Sequence, residues 1–342
     1  MRRHRFFALP AVVLMAVACL SCGKKAEPLV AQFSGPTMGT LYHVTAHGLP
    51  RDGGAQSLQD AVQAALDGVN AKMSTYQADS ELSRFNAAPG VEPFQVSPDT
   101  AEVFRIARRV SEESNGTFDI TVGPLVNAWG FGPGTFTAPP DDGALAVLRE
   151  RVGWEKVTVN PDNTLVKSRP DVYCDLSAVA KGYGVDKAAD ALDALGIANY
   201  MVEVGGEVRA RGLNPDGKPW RIGIEKPTEG ERSVQEVVGL SGMAMATSGD
   251  YRNFREQDGR RISHEIDPRT GRPVTHMLAS ATVLHPSCAL ADAYATALMV
   301  LGPEDGYDFA VKLDLPACLI VRNQDGTFSI ARTPRFAAFL QP

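Results

Sequence analysis

The residues with the clearest potential for chemistry lie at positions 175–186, in the run DLSAVAKGYGVD. An apolar, strand-like stretch precedes this run and a helical apolar period follows it, so the run is predicted to open a helix. Asp175 or Ser177 can cap that helix, whose first turn presents unpaired backbone N–H groups. With Lys181 one turn further on and two glycines giving close access, this helix start suits a phosphate or pyrophosphate. The alternative is a capped helix in which the two glycines serve only packing.

A second set of chemically capable residues lies on a predicted helix at 289–298, with the sequence ALADAYATAL. Asp292 and Thr296 are four residues apart, so both side-chain oxygens project from one helix face. Hard cations such as Mg²⁺ take oxygen ligands of this kind and keep water or phosphate oxygens as the rest. The alternative is a solvated aspartate beside a threonine that hydrogen-bonds to its own helix. The pair is therefore a candidate magnesium site with a structural alternative.

The third candidate is His264, in the segment SHEIDPRTGRP at 263–273. This histidine ends a short predicted strand and precedes two turn dipeptides, Asp-Pro and Thr-Gly. A neutral imidazole there can accept a proton at neutral pH, although a lone histidine is more often structural. The loop TSGDY at 247–251 follows an apolar strand upstream, and its Asp250 is the alternative proton acceptor.

A mixture of helices and strands must position these three segments. The predicted helices besides those above cover 58–73, 97–114 and 142–152. The predicted hairpins cover 157–166 and 317–330, and the further strands cover 201–204, 221–225, 236–240 and 280–284. Because no regular βα alternation occurs, the predicted fold class is α+β, with mixed sheets, hairpins and inserted helices. The segment 127–140, rich in Gly and Pro, is predicted to be a loop over the site.

The composition is that of an ordinary globular protein, and it argues against several classes of protein, including nucleic-acid-binding, disulfide-rich and zinc-binding proteins. The chain has 342 residues, 44% of them hydrophobic and 22% charged, which suffices for one large domain or two smaller ones. A net charge of −6 without any long basic run gives no general affinity for nucleic acid. Beyond the N-terminal region the cysteines are Cys174, Cys288 and Cys318, which are odd in number and far apart. Neither a disulfide framework nor a zinc site is expected.

The N-terminus resembles a bacterial lipoprotein signal. A basic start, MRRHR, precedes an apolar run at 6–20 that is short for a membrane span. The run closes on small residues and cysteine, which favours Cys22 as the acylated residue and leaves Cys19 as the alternative. We therefore expect a signal peptide at 1–22, a tether at 23–32 and one catalytic domain at 33–342. A plain secreted protein is the competing interpretation.

Taken together, the motifs resemble those of the ApbE family, the FAD:protein FMN transferases. The matching segments run in the family's order through nearly the whole mature sequence. They are TMGT at 37–40, STY at 74–76, SELSRFN at 80–86, GTFDITVGPL at 116–125, DLSAVAKGYGVD at 175–186, EVGG at 203–206, ATSGDY at 246–251, HEIDPRTGRP at 264–273 and ADAYATA at 291–297. Each segment alone is weak evidence, whereas their co-occurrence in one order is specific.

The resemblance implies an enzyme that binds FAD, cleaves its pyrophosphate with Mg²⁺ and releases AMP. The FMN phosphate would be joined to a threonine or serine hydroxyl of a partner protein. By position in the motifs, FAD would contact Met38, Tyr76, Thr117, Phe118, Asp119, Asp175, Lys181 and Ile266.

The resemblance also implies a metal site, a base and a class of partner. Mg²⁺ would be held by the backbone carbonyl of Ala178 together with Asp292 and Thr296, and His264 would assist deprotonation of the acceptor hydroxyl. The implied acceptors are flavoprotein subunits of ion-pumping, membrane-bound electron-transport complexes. Attachment through Cys22 would place the enzyme on the periplasmic side of a bacterial membrane, the inner membrane being expected.

The chemistry of the residues agrees with phosphoryl transfer, which needs mainly positioning and charge neutralisation. The sequence contains neither a Walker P-loop nor a Rossmann fingerprint, which argues against a P-loop kinase or a Rossmann-fold dehydrogenase. The competing functions are a lipoprotein that binds FAD without chemistry, a FAD pyrophosphatase and an extracytoplasmic small-molecule receptor.

Overall fold

A computed structural model describes residues 30–49, 54–133, 136–228, 233–251, 254–257 and 260–341. The predicted signal peptide, with Cys19 and Cys22, and most of the predicted tether lie outside the described residues. Within the described ranges, none of the helices combines the length and the hydropathy that crossing a bilayer requires.

Eight of the seventeen described strands form one large sheet. In chain order the seventeen are β1 (Val30–Thr37), β2 (Thr40–His47), β3 (Phe94–Gln95), β4 (Val157–Val159), β5 (Thr164–Lys167), β6 (Asn199–Val204), β7 (Glu207–Arg211), β8 (Trp220–Glu225), β9 (Val234–Leu240), β10 (Met243–Gly249), β11 (Phe254–Gln257), β12 (Arg260–Ser263), β13 (Ile266–Asp267), β14 (Arg272–Pro273), β15 (Leu278–His285), β16 (Ala317–Arg322) and β17 (Phe328–Arg332). The main sheet has eight strands in the order β1-β2-β6-β7-β10-β15-β16-β17, and neighbouring strands pair antiparallel.

The described residues form eight α-helices, and some of them cover one face of the main sheet. The helices are α1 (Ala55–Met73), α2 (Glu81–Ala87), α3 (Pro98–Glu113), α4 (Gly123–Ala128), α5 (Asp142–Arg149), α6 (Ser177–Ala194), α7 (Cys288–Leu301) and α8 (Pro303–Lys312). Apolar side chains of α1 and α6, including Leu66 and Val185, pack against Tyr42 and Val202 of the sheet. On the other face, the β8–β9 pair packs through residues such as Ile222. The main sheet is thus buried on the helical face, and its other face is buried where the β8–β9 pair covers it but exposed on β1 and β2.

Two carboxylates join α6 to α7. Asp186, on α6, accepts hydrogen bonds from the backbone N–H groups of Cys288 and Ala289 at 3.0 and 3.1 Å, at the N-terminus of α7. In return Asp292, on α7, accepts from the backbone N–H of Gly182 at 2.9 Å. Each helix thus supplies a carboxylate that binds the backbone of the other, and these two contacts form a carboxylate clamp. Hydrogen bonds to a charged acceptor contribute about 1.5–3 kcal/mol each.

The two glycines of α6 serve packing. A Cβ at Gly182 would lie 2.4 Å from the carbonyl oxygen of Cys288 and 2.8 Å from Cβ of Asp292. A Cβ at Gly184 would lie 2.6 Å from Cε of Met38. The expectation that these glycines give a ligand close access is therefore wrong, because neighbouring protein atoms already occupy the space beside them.

The α+β class is confirmed, as are the predicted helices and both hairpins. Ser97 caps α3 by accepting from the N–H of Thr100, and Asn115 and Gly116 follow the helix with positive φ. The helix predicted at 142–152 is shorter, since α5 ends at Arg149.

The strand predicted immediately before residue 175 does not form. Its backbone is instead bound by one side chain: the amide of Asn86 donates to the carbonyl of Cys174 and accepts from the Cys174 N–H, both at 2.8 Å. This side-chain bridge replaces the strand ladder, so the segment is buried without belonging to a sheet. The three cysteines are buried and free, as expected.

We predict that Gly182→Ala destabilises the protein by about 1–3 kcal/mol, the range for overpacking a well-packed interior. The added methyl group must push α7 away, because its contacts are backbone atoms that cannot rotate aside. The matched control is Gly68→Ala on α1, where an added Cβ meets nothing within 4 Å. That control should be neutral or stabilising by about 0.5–1 kcal/mol. Urea unfolding of both variants measures the difference, and equal stabilities would contradict the role given to Gly182.

Candidate functional site

One cleft of about 1450 Å³ lies beside the N-terminal half of α6. This volume exceeds the 300–1,000 Å³ typical of ligand pockets, so the cleft has room for a ligand larger than a mononucleotide. It is lined by all the sequence-predicted site residues: Met38, Tyr76, Thr117, Phe118, Asp119, Asp175, Ala178, Lys181, His264, Ile266, Asp292 and Thr296. The fold thus brings together residues from segments spread over most of the chain.

The start of α6 is not an open anion site. Asp175 Oδ1 accepts from the Ser177 backbone N–H at 2.8 Å and from its Oγ at 2.6 Å. Ser177 is the first helical residue, and the preceding Leu176 provides no side-chain cap. Of the two predicted caps, Asp175 is therefore the one that satisfies an N–H of the first turn. Its carboxylate lies at the helix N-terminus, where a phosphate was expected.

Lys181 is held by two carboxylates. Its ammonium lies 2.7 Å from Glu207 Oε1 and 3.5 Å from Asp292 Oδ1, and one third of the side chain is exposed. Burial would lower the pKa of Lys181, but the charges of Asp292 and Glu207 outweigh it and raise that pKa. The lysine therefore stays positively charged. The three groups together carry one excess negative charge when both acids are ionised.

Asp292 and Thr296 face the cleft from α7. Asp292 is 2% exposed, so the alternative of a solvated aspartate is wrong. Thr296 Oγ1 lies 3.2 Å from Ser248 Oγ. In a regular α-helix the Gly182 N–H donates to the carbonyl of Ala178, and here it also donates to Asp292. Because the Gly182 N–H is shared with Asp292, its hydrogen bond to the Ala178 carbonyl oxygen is weakened, and Ala178 is a residue of the cleft lining.

These oxygens suit a hard cation. A buried carboxylate, a hydroxyl and a backbone carbonyl are the donor types that Mg²⁺ takes, with water or phosphate completing its octahedron. No group of three or more His, Cys, Asp or Glu side chains in the described ranges could hold a metal by itself. The predicted set contains a single carboxylate, so this cation would need ligands from a bound substrate or from water.

The segment 117–119 contributes buried side chains to the cleft wall. Phe118 belongs to the main apolar core. Asp119 Oδ1 accepts from the backbone N–H and the hydroxyl of Thr121 at 2.8 and 2.7 Å. Burial raises the pKa of Asp119 to about 6, despite the opposing hydrogen bonds from Thr121. Thr117 Oγ1 is buried without a hydrogen-bond partner in the described chain.

Met38 borders the cleft with a strained backbone, and Tyr76 borders it with an exposed side chain. Met38 has φ +47° and Gly39 has φ +72°, as a two-residue type I′ hairpin turn between β1 and β2 requires. Methionine is unusual at the first of these positions, where a left-handed backbone costs on the order of 1 kcal/mol. Tyr76 is 71% exposed, so its ring is free to stack against a planar ring system.

His264 lies beside a buried acid. Its Nε2 is 3.5 Å from Glu265 Oε1, and its ring meets that of Phe131 edge to face with centroids 6.2 Å apart. Nδ1 is buried and has no hydrogen-bond partner among the described residues. Burial raises the pKa of Glu265, against the opposing effect of His264. Ile266, two residues on, is buried in an apolar cluster beside the cleft.

The alternative base, Asp250, is less suited to that role. It does not line the cleft. Its Oδ2 lies 3.5 Å from Arg322 Nη1 and 3.8 Å from Arg261 Nε, so the carboxylate faces two guanidinium groups.

The sequence did not predict two buried acids of the site, Glu207 and Glu265. Glu207 directly follows the EVGG segment, and Glu265 directly follows His264. Their burial depends on how β7 and the 263–273 segment pack, which residue spacing does not encode. For Glu207 the one available signal was a charged residue between a small and an apolar neighbour, which is common on protein surfaces.

Comparison with known proteins gives a consistent result. The sequence model of the ApbE family matches residues 38–319. A protein of Vibrio cholerae named FAD:protein FMN transferase is 48% identical over 342 residues, covering 99% of each chain. A protein of Haemophilus influenzae with the same name is 47% identical and covers 92% of each chain.

Solved structures resemble this fold closely. The flavin transferase ApbE from Vibrio cholerae superposes with a TM-score of 0.85 at 48% identity, covering 92% of this chain and 100% of that one. The apo form of the flavinyl transferase ApbE from Pseudomonas stutzeri gives a TM-score of 0.83 at 38% identity, covering 91% of this chain and 97% of that one. These two proteins therefore share the architecture of this chain although about half or more of their residues differ from it.

Proposed function

The chain belongs to the ApbE family, and on that premise we propose that it is a FAD:protein FMN transferase. The observation that carries the proposal is the convergence of all the motif-derived residues, from Met38 to Thr296, on one cleft. A chance match to separate motifs would not bring their central residues to a single site. The relatives named FAD:protein FMN transferase, 48% and 47% identical over nearly the full chain, support the same reaction.

The proposed reaction transfers the FMN part of FAD to a protein hydroxyl. The oxygen of an acceptor threonine or serine attacks the phosphorus on the FMN side of the pyrophosphate. The bond from that phosphorus to the bridging oxygen breaks, AMP leaves with this oxygen, and the hydroxyl proton passes to a base. Positioning and charge neutralisation supply most of the catalysis in such transfers.

Within this proposal the chain's own residues have distinct tasks. Tyr76 stacks against a ring of FAD, while Thr117 and Asp175 offer polar atoms along the cleft. Lys181 brings a positive charge to the pyrophosphate, and His264 takes up the acceptor proton. The structure supports the roles of Lys181 and His264 because both side chains line the cleft and are largely shielded from solvent.

A Mg²⁺ ion is proposed at Asp292, Thr296 and the Ala178 carbonyl. The donor types suit it, and the excess negative charge of Asp292 and Glu207 over Lys181 favours a cation there. When bound, the ion would neutralise charge on the pyrophosphate.

The acceptor and the location are also proposals. We propose flavoprotein subunits of membrane electron-transport complexes as acceptors, and attachment through Cys22 to the periplasmic side of the membrane. The small residues before Cys22 in the sequence support this attachment. A Cys22→Ala variant that remains in the membrane fraction would contradict it.

Incubation of the purified protein with FAD, Mg²⁺ and a candidate acceptor tests the reaction. We expect AMP release, and mass spectrometry should find FMN added to an acceptor threonine or serine. AMP and free FMN without a modified acceptor would indicate a FAD pyrophosphatase instead. FAD binding without AMP would indicate a binding protein.

Asp292→Asn should raise the Mg²⁺ concentration needed for half-maximal rate and lower turnover steeply. The substitution preserves shape while removing the charge that attracts a hard cation. FAD binding should change less. The control is Asp99→Asn, a carboxylate outside the cleft that pairs with Lys72, which should lower stability without changing the Mg²⁺ requirement. If Asp292→Asn turns over at the wild-type rate when Mg²⁺ is limiting, Asp292 is not a ligand of the metal.

His264→Ala should lower FMN transfer by about 10²–10⁴-fold, the usual contribution of general acid–base catalysis. FAD and Mg²⁺ binding should persist, because the imidazole acts on the acceptor. His47→Gln, outside the cleft, is the control. A normal transfer rate in His264→Ala would place the base elsewhere, and loss of FAD binding would make His264 a pocket residue.

A further inference from the structure

Glu207 is a buried carboxylate of the cleft to which the proposed reaction gives no task beyond its share of the negative charge near the cation site. It is 2% exposed and is the first residue of β7, directly after a turn formed by Gly205 and Gly206. Both glycines have positive φ. Strand β7 pairs with β6 on one side and with β10 on the other. Glu207 itself pairs with Val204 of β6, beside the turn, so the main sheet holds its backbone from that side.

The contact between Glu207 and Lys181 is the shorter of the two that hold the ammonium. Oε1 of Glu207 lies 2.7 Å from Nζ, whereas Oδ1 of Asp292 lies 3.5 Å away. A lysine has a flexible four-carbon stem, and one third of this side chain is exposed. The position of the ammonium is therefore set chiefly by Glu207, from a rigid strand.

Structural stabilisation explains the pair poorly. Taking a carboxylate out of water costs several kcal/mol, and a packed apolar residue is often as stable as a buried ion pair. The second oxygen, Oε2, is buried and has no hydrogen-bond partner in the described chain, which adds to the cost. A group kept at such a cost beside a candidate reaction centre indicates a role in the reaction.

We propose that Glu207 is the positioning residue for Lys181: it fixes the ammonium beside Asp292, where it meets the pyrophosphate of FAD. This inference rests on the proposed function, because it takes FAD as the molecule that Lys181 contacts. Glu207 itself acts through the lysine and not on the substrate.

A double-mutant cycle tests this dependence. The rate is AMP release from FAD in the presence of Mg²⁺ and the candidate acceptor, and calorimetric FAD binding without Mg²⁺ is a second readout. Lys181→Met should lower the rate by about 10²-fold, the scale for losing one charge-stabilising donor. Glu207→Gln should lower it by about 10-fold, since it removes the charge that fixes the lysine. The double variant should match Lys181→Met within about 3-fold, because residues that act through one another are not additive. The same non-additivity should appear in FAD affinity.

Two further variants separate positioning from other roles. Glu207→Asp keeps the charge but shortens the side chain, so positioning predicts a loss similar to that of Glu207→Gln. Glu236→Gln is the matched control, since Glu236 pairs with Arg332 outside the cleft and its loss should leave the rate unchanged. Thermal unfolding of each variant identifies any that fails to fold.

The proposal is overturned if the losses of the two single variants multiply in the double variant, or if Glu207→Asp keeps the full rate. Absence of AMP release by the wild-type protein would instead refute the proposed function. In that case the FAD-binding cycle still decides whether Glu207 acts through Lys181.

Discussion

The geometry of the cleft depends on the carboxylate clamp between α6 and α7. Asp186 binds the N-terminus of α7, and Asp292 binds the backbone of α6 at Gly182, one turn before Asp186. The missing side chain at Gly182 allows the close approach that both contacts need. Because Asp292 is fixed by packing, its other oxygen is fixed as well, and that oxygen faces Lys181. One contact therefore joins the two helices and orients a candidate ligand.

The charged groups of the cleft are stabilised by one another more than by solvent. Lys181 lies between Glu207 and Asp292, and both acids are almost fully buried. Burial raises the pKa of Glu207, and the adjacent lysine opposes that rise. In a low-dielectric setting such a cluster responds strongly to any further charge that enters. The arrangement suits a substrate that carries phosphates together with a cation.

Local patterns in the sequence predicted those elements whose signals are local. The helices predicted at 58–73 and 97–114 and the hairpins predicted at 157–166 and 317–330 require only neighbouring positions, and all were confirmed. The prediction of a strand before residue 175 was wrong, because the side chain of the distant Asn86 forms the hydrogen bonds that a neighbouring strand would otherwise provide. β1 gave no strand signal, since it is an edge strand with Gly35 and Pro36 in its sequence. The site residues came from motifs, whereas the burial of Glu207 and the packing role of Gly182 depend on contacts between distant segments.

The order of strands in the main sheet has a consequence for synthesis. β15 is an interior strand of that sheet, and both β15 and α7 lie in the last quarter of the chain. The contact between Gly182 and Asp292 spans 110 residues, so it forms only after α7 has been made. Folds dominated by such non-local pairings are slow to form, since each contact must first close a long loop. We therefore expect nascent or truncated chains that end before α7 to lack the cleft altogether, so that competence for catalysis arises in one late step.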